Sequence, residues 1–273
     1  MRWCAAAVAG CVAACLAIQP AQAKVKHRHT AAHAQAAKPA LFSGAGFDAC
    51  HAPPLATMRT WWLTSGYQAV GVYIGGVNRA CSDGNLSHAW VKAVSAIGWR
   101  FVPVYVGQQA PCSHQPHLKL IDPEKAAAQG SAAADDAMNR AAAFGMARGS
   151  TVYFDLESYA RKNPACTGTV LSYLGAWTKR LHAHNYFSGF YSSAGSGITD
   201  LVKSTDRGLA RPDALWIARW DNAHTVNDRA VPDGAWAVHQ RIKQYAGGHK
   251  EQHGGATLSV DSDWLDGPVA RIG

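Results

Sequence analysis

From Leu41 onward, short apolar runs alternate with longer stretches whose apolar residues recur at helical spacing. Eight runs read as strands: 46–50 (GFDAC), 69–76 (AVGVYIGG), 100–107 (RFVPVYVG), 151–157 (TVYFDLE), 186–193 (YFSGFYSS), 214–220 (ALWIARW), 235–245 (AWAVHQRIKQY) and 257–264 (TLSVDSDW). Most are rich in Val, Ile, Tyr, Phe and Trp, which suit a pleated, half-buried surface. Between them, 53–66 opens on prolines and closes on Gly66, and 85–98 closes on Gly98, as helix start and stop signals require. The Ala-rich stretch 122–149 ends on Gly149, and 167–185 places Val170, Leu174, Trp177 and Leu181 on one helical face.

Strands alternating with helices predict an α/β protein, a (β/α)8 TIM-type barrel, with a doubly wound open sheet as the architectural alternative. Little helix is evident between 221 and 234, so the barrel is expected to be irregular in its second half. At 273 residues and 48% hydrophobic, the chain is long enough for one large domain over 41–273 around a single core.

The fourth strand raises the chemical question. Side chains alternate along a strand, so Tyr153, Asp155 and Glu157 share one face and Val152, Phe154 and Leu156 the other. The apolar set belongs against the helices. The acids then point into the barrel near its C-terminal end, where barrel enzymes carry their chemistry. Asp48 ends the first strand, and Asp261 and Asp263 end the last. First and last strands are neighbours in a closed barrel, so five acids from three strands are expected at one mouth. Arg219 and Lys243 are among the few strand cations available to neutralise them. Burying unpaired carboxylates is costly, which favours a site over a structural role.

Paired carboxyls of this kind suit glycoside hydrolysis: one of raised pKa protonates the departing oxygen while another stabilises positive charge or activates water. Aromatics fit the same reading. Trp216 and Trp220 share a face of the sixth strand, and Tyr245 and Trp264 come near the ends of the last two. Trp220 and Tyr245 are candidate platforms for sugar rings, and Gln244 and Asn78 candidate partners for hydroxyls. A metal-dependent hydrolase, drawing on His51, His114 and His117, is one alternative; a non-catalytic glycan-binding module on the same barrel is another. No metal and no cofactor is expected. Residues 193–197 read Ser-Ala-Gly-Ser-Gly, which is not a GxSxG nucleophile elbow.

The N-terminus changes the picture of where the protein works. Arg2, the apolar run 4–18 and a small-residue exit ending at Ala23 predict a cleaved secretory signal over 1–23, hence an extracellular protein. Residues 24–40 form a basic tail expected to be disordered and able to touch an anionic cell surface; the formal charge of the whole chain is +8. Nucleic acid is not expected as a partner, and a monomer is expected. Three of seven cysteines fall in the leader, leaving Cys50, Cys81, Cys112 and Cys166. An even number in an exported chain predicts two disulfides, with three connectivities open.

GFDAC, YFDLE, GFYSS, LWIARW and VDSDWLDG occur in the order seen in glycoside hydrolase family 25, the lysozyme-type muramidases. With GFDAC-APP, VGVYIGG and PVYVG added, the chain more closely resembles the glycoside-hydrolase-like domain of secreted actinobacterial proteins, over residues 44–268. The resemblance implies a (β/α) barrel with an acidic cleft and peptidoglycan or another extracellular polysaccharide as substrate. It places Asp48, Asp155 and Glu157 at the positions of the lysozyme acids, with Glu157 as general acid, and Asp261 on the matching closing strand. On such a barrel the expected bridges are Cys50–Cys81 and Cys112–Cys166, each joining loops that follow consecutive strands at the end carrying the acids.

Overall fold

The computed structural model describes Met1, Trp3 and residues 38–273. The signal segment 1–23 and most of the tail 24–40 lie outside the described residues. Eight strands close into one barrel in chain order. They are β1 (Ala40–Asp48), β2 (Ala69–Gly75), β3 (Arg100–Tyr105), β4 (Thr151–Leu156), β5 (Phe187–Ser193), β6 (Ala214–Ala218), β7 (Arg241–His253) and β8 (Ala256–Val269). Among the described residues, five helices pack outside: α1 (Leu55–Thr64), α2 (His88–Ile97), α3 (Ala126–Ala143), α4 (Pro164–Ala183) and α5 (Gly197–Lys203). The short α5 was not expected from the sequence. Among the described residues, no helix is long and apolar enough to cross a membrane.

The expected irregularity lies in the last third. β1 to β7 pair in parallel, whereas β8 is antiparallel to both β7 and β1. The cause is local. His253 pairs with Ala256 across Gly254 and Gly255, whose φ angles are +55° and +83°. Two consecutive positive φ values make the tight turn that matches strand twist, and a two-residue turn leaves no length for a crossover helix. β7 therefore returns directly as β8.

Between β6 and β7 a loop stands where a helix was absent from the sequence pattern. It satisfies the cations that β6 and β7 turn toward it. Arg219 is paired with Asp228 through two nitrogens, at 2.5 and 2.9 Å, and Lys243 with Asp221 at 2.8 Å. The buried Arg241 donates to the Pro232 carbonyl at 2.6 Å.

Alternation along β4 divides the core as expected. Val152, Phe154 and Leu156 join the outer layer between strands and helices, while Tyr153 joins the barrel interior with Val104, Trp216, Ile242 and Leu265. Tyr153 and Trp216 meet edge to face at 5.7 Å and floor the barrel beneath the acids. The floor needs glycine beside it: a Cβ at Gly189 would strike the Tyr153 ring, and one at Gly71 would stand 2.5 Å from the Asp48 Cβ.

Candidate active site

Asp48 closes β1, flanked by Gly71 on β2 and Asp261 on β8. Because β8 runs the opposite way, Asp261 and Asp263 lie within it rather than at its end, and β8 continues to Val269. The register still sets Asp261 opposite Asp48 and Asp263 opposite Gly46. Asp155 comes from β4, and Glu157 follows directly beyond that strand. Asp48, Asp155, Glu157 and Asp261 line one cavity of about 450 Å³, whose lining contains no lysine or arginine. Asp263 is buried beneath it, accepting from the Trp216 indole at 2.9 Å. Arg219 and Lys243, the cations that could have neutralised this cluster, are spent on Asp228 and Asp221.

The acids differ in what holds them. Asp48 accepts from the Tyr73 hydroxyl at 2.7 Å and from Gln244 Nε2 at 2.8 Å. Burial and the neighbouring Asp261 nevertheless push its pKa up to about 7, because desolvation penalises the charged form more than two hydrogen bonds restore. Asp155 is 3% exposed and its Oδ1 has no hydrogen-bond partner; burial first, then Glu157 and Asp48, lift it well above the carboxylate range. Glu157 is raised by burial and by Asp261, against one hydrogen bond from the Ser158 backbone. Asp261, bonded by the Gly248 backbone N–H, is also raised by burial. Asp263 is raised well above its ordinary value by burial and by Asp48. Burial thus shifts every acid of the cluster toward its protonated form, the direction a general acid requires.

Two further residues tie this geometry together. Gln109, 1% exposed beyond β3, accepts the Glu157 backbone N–H at 2.7 Å and donates to the Asp155 carbonyl at 2.9 Å. Tyr73 anchors Asp48. Sequence reasoning missed both. Tyr73 was recoverable, since it shares the inward face of β2 with Gly71; Gln109 sits in a loop, where no periodicity marks which way a side chain points.

The expected sugar-contacting residues divide. Trp220 is 65% exposed beside the acids, its Nε1 bonded to Gln244 Oε1 at 3.0 Å. Gln244 itself is buried, with its oxygen also taken by Tyr191 and its nitrogen by Asp48, so it braces the site from within. Asn78 reaches the cavity, but its amide is committed to backbone: Nδ2 to the carbonyls of Gly107 and Lys119, Oδ1 to the Lys119 N–H, each at 2.8 Å. Tyr245 is 7% exposed, packs on His224 at 4.3 Å, and does not line the cavity. Trp216 is buried in the floor, and Trp264 stacks with His224.

Both disulfides connect as expected, Cys50–Cys81 with Cα atoms 5.5 Å apart and Cys112–Cys166 at 6.0 Å. The first forms part of the cavity wall. Among the described residues, the one trio of donors close enough to share a metal ion is Cys50, His51 and Cys81, and its two sulfurs are consumed in the bridge. His114 and His117 are exposed and stand off the cavity.

No curated protein matches the chain in sequence. Solved structures share its fold. An uncharacterised protein of B. stearothermophilus is 16% identical with a TM-score of 0.56, over 81% of this chain and 95% of that one. The Tat-secreted protein Rv2525c of Mycobacterium tuberculosis, in complex with L-tartrate, is 16% identical at 0.56, over 82% and 96%. The spore cortex lytic enzyme SleM of Clostridium perfringens is 17% identical at 0.52, over 82% and 67%. A family model matches residues 59–265, and by that match the chain belongs to the Rv2525c-like, glycoside hydrolase-like domain family.

Proposed function

We propose that the protein is a secreted glycosidase that cleaves cell-wall peptidoglycan or another extracellular polysaccharide by carboxylate acid/base catalysis. The observation that carries this reading is the cavity itself: four acids from three strands and one strand-end loop, without a lysine or arginine among its lining residues. In this reading Glu157 protonates the departing glycosidic oxygen, a role supported by its partial opening to solvent and its raised pKa. Asp155 or Asp48 stabilises the positive charge that develops on the sugar, directly or through water. Family membership supports the hydrolase-like fold, and SleM, a lytic enzyme, carries the same architecture. Export is supported by the leader-like N-terminal sequence and by two disulfides, which persist in oxidising compartments. We propose in addition that the basic tail 24–40 makes electrostatic contact with an anionic cell surface, the alternative being a solvated tether.

Release of reducing ends from purified peptidoglycan tests the reading. The unsubstituted chain is expected to release them, and Glu157→Gln to bind the polymer while turnover falls about 10²–10⁴-fold. Equal binding by both chains without release from either would leave a glycan-binding module in its place. Loss of turnover on adding a chelator would instead favour a metal-dependent hydrolase.

A further inference from the structure

A second hollow, of about 420 Å³, adjoins the acid cavity and shares Glu157 with it. Its lining includes Glu157, Tyr191, Ser193, Arg219 and Trp220. Trp220 is among the large hydrophobic side chains that the fold leaves open, at 65% exposure. A lone exposed tryptophan needs no explanation; this one is fixed in place. Its indole N–H donates to Gln244 Oε1, and the same Gln244 donates to Asp48.

Gly247 backs the ring. A Cβ built there would collide first with Cε2, then Cζ2 and Cδ2. Cε2 is bonded to ring atoms on all three sides, so an atom that close lies over the ring face and not at its edge. One face of the indole is thus covered by backbone, the N–H is spent, and the opposite face remains exposed.

We infer that this hollow is a second sugar-binding subsite, in which Trp220 stacks on the apolar C–H face of a ring of the same polymer whose neighbouring unit occupies the acid cavity. The inference rests on the glycosidase reading and extends it to where the second of the two sugars flanking the scissile bond is held. Glu157 lines both hollows, so neighbouring units held in them set the glycosidic bond that joins them beside its carboxyl. A rigid indole loses little conformational freedom on stacking, which is why its pre-set orientation matters for affinity.

Calorimetric titration in the Glu157→Gln background tests it, with a disaccharide and a hexasaccharide of glycan prepared from peptidoglycan as probes. Trp220→Ala is expected to weaken both probes roughly tenfold, the scale of one aromatic contact, because two neighbouring units already fill both hollows. Gly247→Val, which displaces the ring while keeping it, is expected to weaken both probes similarly. Thermal midpoints of both variants establish that each is folded. Unaltered affinity of both probes in Trp220→Ala, or a loss confined to the hexasaccharide, overturns the inference alone. Absence of binding by either probe to the Glu157→Gln chain ends the glycan reading and this inference with it.

Discussion

Gln109 holds Glu157 by its backbone: the side-chain oxygen accepts the Glu157 N–H at 2.7 Å while its nitrogen donates to the Asp155 carbonyl at 2.9 Å. Glu157 lies just past the last residue of β4, where the ladder to β5 has ended. An acid on an unpaired segment would sample several directions. The amide replaces the missing ladder and fixes the direction in which the carboxyl leaves the strand.

Replacing Gln109 with Leu keeps the volume and removes both bonds, and with them a third, from Nε2 to the Gly107 carbonyl at 3.1 Å. The buried groups left unpaired cost about 1–3 kcal/mol, seen as a lower midpoint in chemical denaturation. Activity on peptidoglycan should fall through kcat more than KM, and the acid and base limbs of the pH profile should move, since Glu157 would no longer be held at one depth. A stability loss with an unchanged pH profile would reduce Gln109 to a structural brace.

The acids also set how stability follows pH. Asp48, Asp155, Glu157, Asp261 and Asp263 are all raised, so the folded chain retains protons that the unfolded chain has released. Stability therefore falls as pH rises from about 4, where free carboxyls ionise, through about 7, where Asp48 does. His182, raised by its hydrogen bond to Asp213, acts in the same direction, losing its contribution as pH rises through its folded value. Carboxyls lowered by their partners, such as Glu251, held down at about 2 despite burial by His253, Tyr67 and His249, lose their contribution only as pH falls from about 4 toward 2. The thermal midpoint is thus expected to be higher at pH 5 than at pH 8. Asp155→Asn, which removes one buried ionisable carboxyl with no partner on Oδ1, should raise the midpoint at pH 8 and change it less at pH 5. A midpoint that climbs between pH 5 and 8 would contradict the buried protons.

Much of this site was legible because strand alternation is a strict rule. The parity of Tyr153, Asp155 and Glu157 against Val152, Phe154 and Leu156 sends the acids inward wherever β4 lies in a barrel. Asp48 and Asp261 could be brought together because closure makes first and last strands neighbours. What the pattern did not carry is equally specific. The second half of β7 reads GGHKEQH and is mostly exposed or half-exposed, so it lacks the apolar alternation that marks a strand, and its hairpin with β8 went unseen. The direction of β8 followed from that hairpin, and with it the placing of Asp261 and Asp263 inside a strand. Asn78 and Tyr245 were plausible at the mouth by position alone; their hydrogen bonds and packing come from loops distant in sequence.

Gly71 supplies a prediction about the floor. An added methyl there would stand 2.5 Å from the Asp48 Cβ and 3.0 Å from Trp216. Trp216 is fully enclosed and bonded to Asp263, so it cannot yield. Gly71→Ala should cost about 1–3 kcal/mol of stability and push Asp48 away from Tyr73. A crystal structure of the variant with Asp48 unmoved and stability unchanged would mean the barrel breathes more than its packing indicates.

The two disulfides separate stability from site geometry. In the chain-entropy model, the bridge spanning a separation of 31 residues and the one spanning 54 each contribute roughly 4 kcal/mol. Replacing Cys50 and Cys81 together with Ala, or Cys112 and Cys166 together, is therefore expected to lower the denaturation midpoint by similar amounts. Their effects on function should differ. Cys50 and Cys81 form part of the cavity wall next to Asp48, whereas Cys166 is buried in the first turn of α4 and Cys112 lies outside the cavity lining. Loss of the first bridge frees the loops after β1 and β2, so the affinity for soluble glycan should fall at a temperature where the protein is still folded. Loss of the second should leave that affinity closer to the unsubstituted value. Matching affinity losses for the two variants would show that the wall is held by the rest of the barrel and not by its own bridge.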